Sequence, residues 1–144
     1  MMYLSRSARY ALAAFCFAAS LCAPDTSLAQ TGKSGEMVYK ETCLACHATG
    51  LEKAPKFGDH KAWVPLIKEG QARITADGWV GERGMPARGG NPNLSLEEFA
   101  RAVAFMARAG GGNWKDPDSA MLERIRSAEK KRLDHLKAKK PPAG

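Results

Sequence analysis

Cys43, Cys46 and His47, in the run Cys43-Leu44-Ala45-Cys46-His47, are the densest group of reactive side chains in this 144-residue chain. Two thiols two residues apart, followed at once by an imidazole, serve three kinds of chemistry. A structural zinc ion takes four ligands, commonly from two such pairs. A redox disulfide sits where a strand enters a helix, in a βαβ setting. Haem takes both thiols as thioethers on neighbouring vinyl groups, and the imidazole of the next residue then reaches the iron.

Which of these the chain can supply depends on how many cysteines the working protein keeps. Arg6 and Arg9 precede an apolar run of twelve residues at 10–21, and Ser27-Leu28-Ala29 offers small residues where a signal peptidase cuts. The pattern predicts an exported protein that starts at Gln30. The run is too short for a membrane span and is followed by Pro24 and Asp25, and Leu21 before Cys22 makes a poor lipoprotein signal. Cys16 and Cys22 leave with residues 1–29, so Cys43 and Cys46 carry all later thiol chemistry. A zinc site would then need Cys43, Cys46 and two of His47, His60 and His135, and the adjacency of Cys46 and His47 fits the usual ligand spacing badly. A redox pair would need strands, and no run of alternating β-branched residues is present. Covalent haem attachment uses all three residues, and one motif implies one haem c.

A second iron ligand must come from elsewhere in the chain. Met37 and Met106 fall on apolar helical faces and read as core filler, and Met121 is late in the chain. Met85, followed by Pro86, lies in a glycine-rich loop thirty-eight residues after His47 and is the expected sixth ligand. His60 and His135 are its rivals, each otherwise an ordinary surface histidine.

The elements that must position these groups read as helices. Ser34 is an N-cap for a helix over residues 35–42, which the cysteine pair closes. Residues 48–58 read as loop; Asp59 caps a short helix through Trp63 and Ile67, Gly70 ends it, and residues 71–78 form another. Residues 78–93 hold five glycines and two prolines and predict an irregular loop. Ser95 with Glu98 is a capping box for a helix over residues 96–108, stopped by Gly110-Gly111-Gly112. Asp116-Pro117 then starts a basic amphipathic helix carrying Met121, Leu122, Ile125, Ala128, Leu133 and Leu136 and ending near Pro141. The expected organisation is a signal peptide at 1–29, an all-α haem domain at 30–112 and a basic helical tail at 113–144. Net charge is +7 for the whole chain and +6 once two arginines and one aspartate leave with the signal peptide; the tail holds nine cations against five acids. For an exported chain this excess favours an acidic protein or an anionic membrane over nucleic acid.

With "GEMVYKETCLACHATG" at 35–50, "APKFGDHKAW" at 54–63 and "GMPARGGNPNLSLEEFARAVAFM" at 84–106, the chain resembles class I cytochromes c, in particular the cytochrome c5 group of bacterial monohaem proteins, over residues 34–108. The resemblance implies a small all-α fold of about three to five helices around one covalent haem. It implies thioethers at Cys43 and Cys46, axial ligands at His47 and Met85, and packing of Gly35 and Tyr39 on the last helix of the fold near Phe105. It also implies that a carbonyl beside Pro55 orients the proximal imidazole. Two features depart from the group: Pro65-Leu66 stands where Pro-Arg often follows Ala-Trp, and a second cysteine pair is absent.

The resulting expectation is a soluble periplasmic electron carrier rather than an enzyme. Trp63, Ile67, Trp79 and Leu94 would keep water from the haem, and lysines would steer an acidic or membrane-bound redox donor and acceptor. Two alternatives are a cytochrome subunit docked to a larger oxidoreductase, or to a membrane, through residues 113–144, and a haem sensor in which Met85 gives way to a small gas.

Overall fold

The computed structural model describes residues 32–139. The expected signal peptide, Cys16, Cys22 and the helix end near Pro141 lie outside them. Three segments run end to end: α1 (Gly35–Val38), a π-helical stretch (Tyr39–Cys43) and α2 (Leu44–His47). A 3-10 turn (Leu51–Lys53), α3 (His60–Glu69), α4 (Gln71–Val80), a second 3-10 turn (Ala87–Gly90), α5 (Leu96–Ala109) and α6 (Ser119–Lys139) follow. Among the described residues the extended pairing is a single bridge between Glu82 and Met85. The all-α expectation therefore holds.

Ser34 caps α1 by accepting the Met37 N–H at 3.2 Å. The helix does not stop at Thr42, as the sequence suggests, but continues through the cysteine pair to His47. Nothing in Cys43-Leu44-Ala45-Cys46-His47 breaks a helix, since leucine and alanine are strong helix formers. The first residue after the motif with left-handed backbone is Gly50, with φ of 83°. Inside this continuous helix the Leu44 N–H bonds Tyr39 O, five residues back, which defines the π stretch.

α5 is the central element. Its N-terminus carries the full reciprocal capping box of Ser95 and Glu98, and Phe99, Ala102, Val103, Met106 and Ala107 are buried along it. α1 crosses α5 at Gly35, where a Cβ would lie 2.3 Å from the Arg101 carbonyl oxygen, so only glycine permits the approach. Arg101 has no exposed surface: its guanidinium ion-pairs with Glu97 and donates to the Lys33 carbonyl at 2.9 Å, tying the chain before α1 to α5. Tyr39, Phe57 and Phe105 close this end as an aromatic trio, with ring centroids 4.6 to 5.7 Å apart.

Asp59 caps α3 through the Ala62 N–H at 3.2 Å, and Gly70, at φ of 98°, separates α3 from α4 as expected. The irregular loop begins later than its glycine content suggests, because Gly78, Trp79 and Val80 complete α4. Gly78 is a packing glycine: its absent Cβ lets Phe99 Cζ come within 3.2 Å of that position and Met85 Cε within 3.5 Å.

α6 starts two residues later than the Asp116-Pro117 signal implies. Asp118 makes the cap, accepting the Met121 N–H at 2.7 Å, whereas Asp116 pairs with Arg108 at 3.0 Å and Pro117 is buried. Its apolar stripe folds back on the domain: Ile125 is fully buried with Ala76 and Ala100, flanked by Met121, Leu122 and Ala128. Leu133 and Leu136, each 39% exposed, stay outside this contact. No described helix is long and apolar enough to cross a membrane.

Candidate functional site

His47 ends α2 with its ring buried. Nδ1 lies 2.9 Å from Pro55 O. A carbonyl oxygen only accepts, so Nδ1 carries a proton, and in the neutral ring the lone pair is then on Nε2. The carbonyl is Pro55's own rather than that of a neighbour. The loop that supplies it is held twice more: Phe57 donates its N–H to His47 O at 2.7 Å, and Trp63 donates its indole N–H to Lys56 O at 2.8 Å. Trp63 is buried against Gly110, where a Cβ would stand 2.4 Å from the indole. A chain of contacts thus runs from the end of α5, through Trp63 and the Pro55 loop, to one histidine nitrogen.

Cys43 is buried and Cys46 partly so, and neither is in a disulfide. Burial, reinforced by Cys46, pushes the Cys43 thiol up to about 11, and burial next to Cys43 raises Tyr39 as well. A redox dithiol works through a lowered thiol pKa, and Cys43 is shifted the other way. Among the described residues no group of three or more His, Cys, Asp or Glu side chains gathers to hold a metal ion. The donor set that is present, two free thiols beside an imidazole of fixed tautomer, fits a covalently attached haem.

Met85 lies in a tight turn closed by two backbone bonds, Glu82 N–H to Met85 O at 3.1 Å and Met85 N–H to Glu82 O at 2.9 Å. Its half-buried side chain packs against the core that contains Tyr39, Cys43, Trp63, Leu94 and Phe99, as do Ile67 and Trp79. The loop meets the cysteine-bearing helix at Thr42 and the 3-10 turn that follows it at Glu52. A Cβ on Gly84 would stand 2.8 Å from Glu52 Cβ, one on Gly89 would stand 3.1 Å from Thr42 Cγ2, and Asn91 donates to Thr42 Oγ1 at 3.4 Å. Among the described residues the non-glycine residues with positive φ, Glu52, Lys53, Arg83 and Arg88, all belong to these two apposed loops. Strained backbone of this kind persists where the surroundings over-determine it.

The other candidates fall elsewhere. His60 and His135 are exposed, Met106 is core as expected, and Met121 belongs to the contact of α6. Met37 is 49% exposed, not core filler, because Gly35, Val38 and Tyr39 take the buried face of that helix. Trp79 is half-buried, with its edge to Phe99 at 5.5 Å, Arg88 stacked 4.4 Å above its ring and its N–H given to Glu129 Oε1 at 3.1 Å. Glu129, Arg101 and Arg132 escaped the sequence reading because charged residues on helices read as solvated. Phe57 escaped it because its partners Tyr39 and Phe105 are distant in the chain.

Residues 30–106 match the family described as cytochrome C oxidase, cbb3-type, subunit III. Over 77 residues the chain is 43% identical to cytochrome c-555 of Chlorobaculum thiosulfatiphilum, covering 51% of this chain and 90% of that protein. It is 36% identical over 77 residues to cytochrome c5 of Azotobacter vinelandii, covering 52% of this chain and 93% of the relative. Its fold is similar, with a TM-score of 0.52 and 37% identity, to a chain in the crystal structure of an electron transfer complex of nitrite reductase with cytochrome c, covering 56% of this chain and 99% of that one. The chain belongs to the class I c-type cytochromes, electron-transfer proteins with a covalently bound haem.

Proposed function

We propose that this cytochrome is a periplasmic single-electron carrier, with thioethers at Cys43 and Cys46 and iron ligands at His47 and Met85. The observation that carries the reading is the His47 Nδ1–H bond to Pro55 O at 2.9 Å, in the residue directly after two free thiols. When bound, the haem supplies one-electron exchange between ferrous and ferric iron. The residues of the chain do the rest. The Pro55 carbonyl fixes the imidazole tautomer and raises the basicity of Nε2. A thioether from Met85 favours the ferrous state and raises the potential. Trp63, Ile67, Trp79 and Leu94 keep water from the cofactor, and the paired backbone bonds of Glu82 and Met85 hold the turn that carries the sulfur. No covalent bond to a substrate is made.

The partners proposed are redox proteins with acidic docking faces, steered by the basic mature chain, and their association should weaken with salt. A similar cytochrome forms an electron transfer complex with nitrite reductase, which supports a protein rather than a small molecule as electron acceptor. Export by a signal peptide at 1–29 puts the protein where covalent haem attachment takes place. Absorption spectra of the purified mature protein, ferric and ferrous, test the whole reading. The expected result is a thioether-linked, low-spin haem with a weak red sulfur-to-iron band in the ferric form. Absence of that band removes Met85, and rapid carbon monoxide binding by the ferrous form replaces the carrier with a gas-binding protein.

A further inference from the structure

α6 lies beyond residues 30–106, the part that matches the family, and it grips the loop that bears Met85. Arg132 ion-pairs with the Glu82 carboxylate, approaches the Gly81 carbonyl at 3.5 Å through Nη2, and holds Nε 3.6 Å from Asp77 Oδ1. One side chain of α6 therefore engages the last turn of α4, the glycine that ends it and the first residue of the Met85 turn. Three residues earlier on the same face, Glu129 accepts the indole N–H of Trp79 at 3.1 Å, and Trp79 carries Arg88 on its ring. The loop is thus held three residues before Met85, at Glu82, and three residues after it, at Arg88. Buried Ile125 fixes α6 in place, so Arg132 and Glu129 meet their partners from a rigid base.

We propose that α6 is an intramolecular strap that sets how readily Met85 leaves the haem iron, with Arg132 as its principal positioning residue and Glu129 as its second. The inference rests on Met85 being a ligand. A displacement of Met85 that carries its backbone must open the paired bonds between Glu82 and Met85 or move them as a unit, and either motion pulls Glu82 and Gly81 from Arg132. The strap raises the free energy of the displaced state and lowers its population.

Imidazole, which binds ferric haem only after Met85 has left, reads that population directly, because its apparent affinity scales with the displaced fraction. Full-length mature haem protein is titrated as wild type, Arg132→Gln, Arg132→Lys and Lys131→Gln. The last removes the same charge from the exposed neighbouring position. Arg132→Gln is expected to bind imidazole about tenfold more tightly, equivalent to about 1.4 kcal/mol. Arg132→Lys should recover part of the difference, and Lys131→Gln should match wild type. Amide hydrogen exchange at Met85 should accelerate in Arg132→Gln. If that variant does not fold, Glu82→Gln removes the same ion pair from the loop side and is read in the same way. Equal imidazole affinities in Arg132→Gln and Lys131→Gln, with or without a lowered melting temperature, overturn the strap. A wild type without the sulfur-to-iron band, or a Met85→Ala variant that binds imidazole no more tightly than wild type, overturns the ligand assignment beneath it instead.

Discussion

Alanine in place of Gly35 sets two effects of opposite sign against each other. Helix propensity favours alanine over glycine by about 1 kcal/mol, a gain reduced at the first residue of a helix. Sterically, the new Cβ would stand 2.3 Å from Arg101 O, 2.7 Å from Arg101 C and 3.1 Å from Phe105 Cβ. Even a weak C–H to oxygen contact needs about 3.3 Å, so α1 and α5 must separate by roughly 1 Å. The obstruction is backbone, which cannot rotate away as a side chain does. Overpacking of this kind costs about 1–3 kcal/mol, more than propensity returns. Gly35→Ala should therefore lower the melting temperature of the mature haem protein by roughly 5 °C or more, followed by far-UV circular dichroism. Gly58→Ala is the control: open space surrounds it, and its φ of +77° restricts the cost to left-handed backbone strain of about 1–2 kcal/mol. A Gly35→Ala protein that melts at or above wild type would refute the steric account of the α1 and α5 crossing.

Two further outcomes are expected. Ile125→Ala, at a position with no exposed surface between Ala76 and Ala100, should cost about 2–5 kcal/mol in urea unfolding; a change under about 0.5 kcal/mol, the range of surface substitutions, would mean that α6 is not docked. Glu98 accepts backbone N–H bonds from Lys33 and Ser95, which hold its carboxyl below the ordinary range. Its contribution is complete above the unfolded value of about 4.3 and fades as pH falls through the lower folded value. Wild type should therefore lose stability relative to Glu98→Gln as pH falls below about 4.3, measured by denaturant titrations across that range, and parallel profiles would refute the assignment.

Much of the fold was legible because its signals are local. Ser34, Asp59, Gly70 and the Ser95 and Glu98 pair each act within four residues, and each sits where its chemistry predicts. The haem-attachment motif is local too, and its fit rests on adjacent residues. What escaped prediction depends on contacts between distant parts of the chain. Gly78 reads as a helix breaker until Phe99 and Met85 are known to need its missing Cβ. Arg132 reads as one more cation on a basic helix, and only the fold brings it to Glu82, fifty residues away in sequence. Met37 reads as core because it is apolar in an apolar helix, and only the fold shows that Gly35, Val38 and Tyr39 take the buried face and leave it outside.

The π-helical stretch at Tyr39–Cys43 turns residue count into orientation. In an α-helix each residue advances the side-chain direction by about 100°, whereas the bond from Leu44 N–H to Tyr39 O takes in one residue more than an α turn would. Gly35 and Tyr39, seated on α5, therefore face one way, while Cys43, Cys46 and His47 follow from a reset angular origin. The extra residue works as a rotary spacer between the part of the helix that packs and the part that binds. A chain shortened by one residue at Lys40 could keep the motif, the cap and every apolar residue, yet present its thiols and imidazole to a different side of the fold.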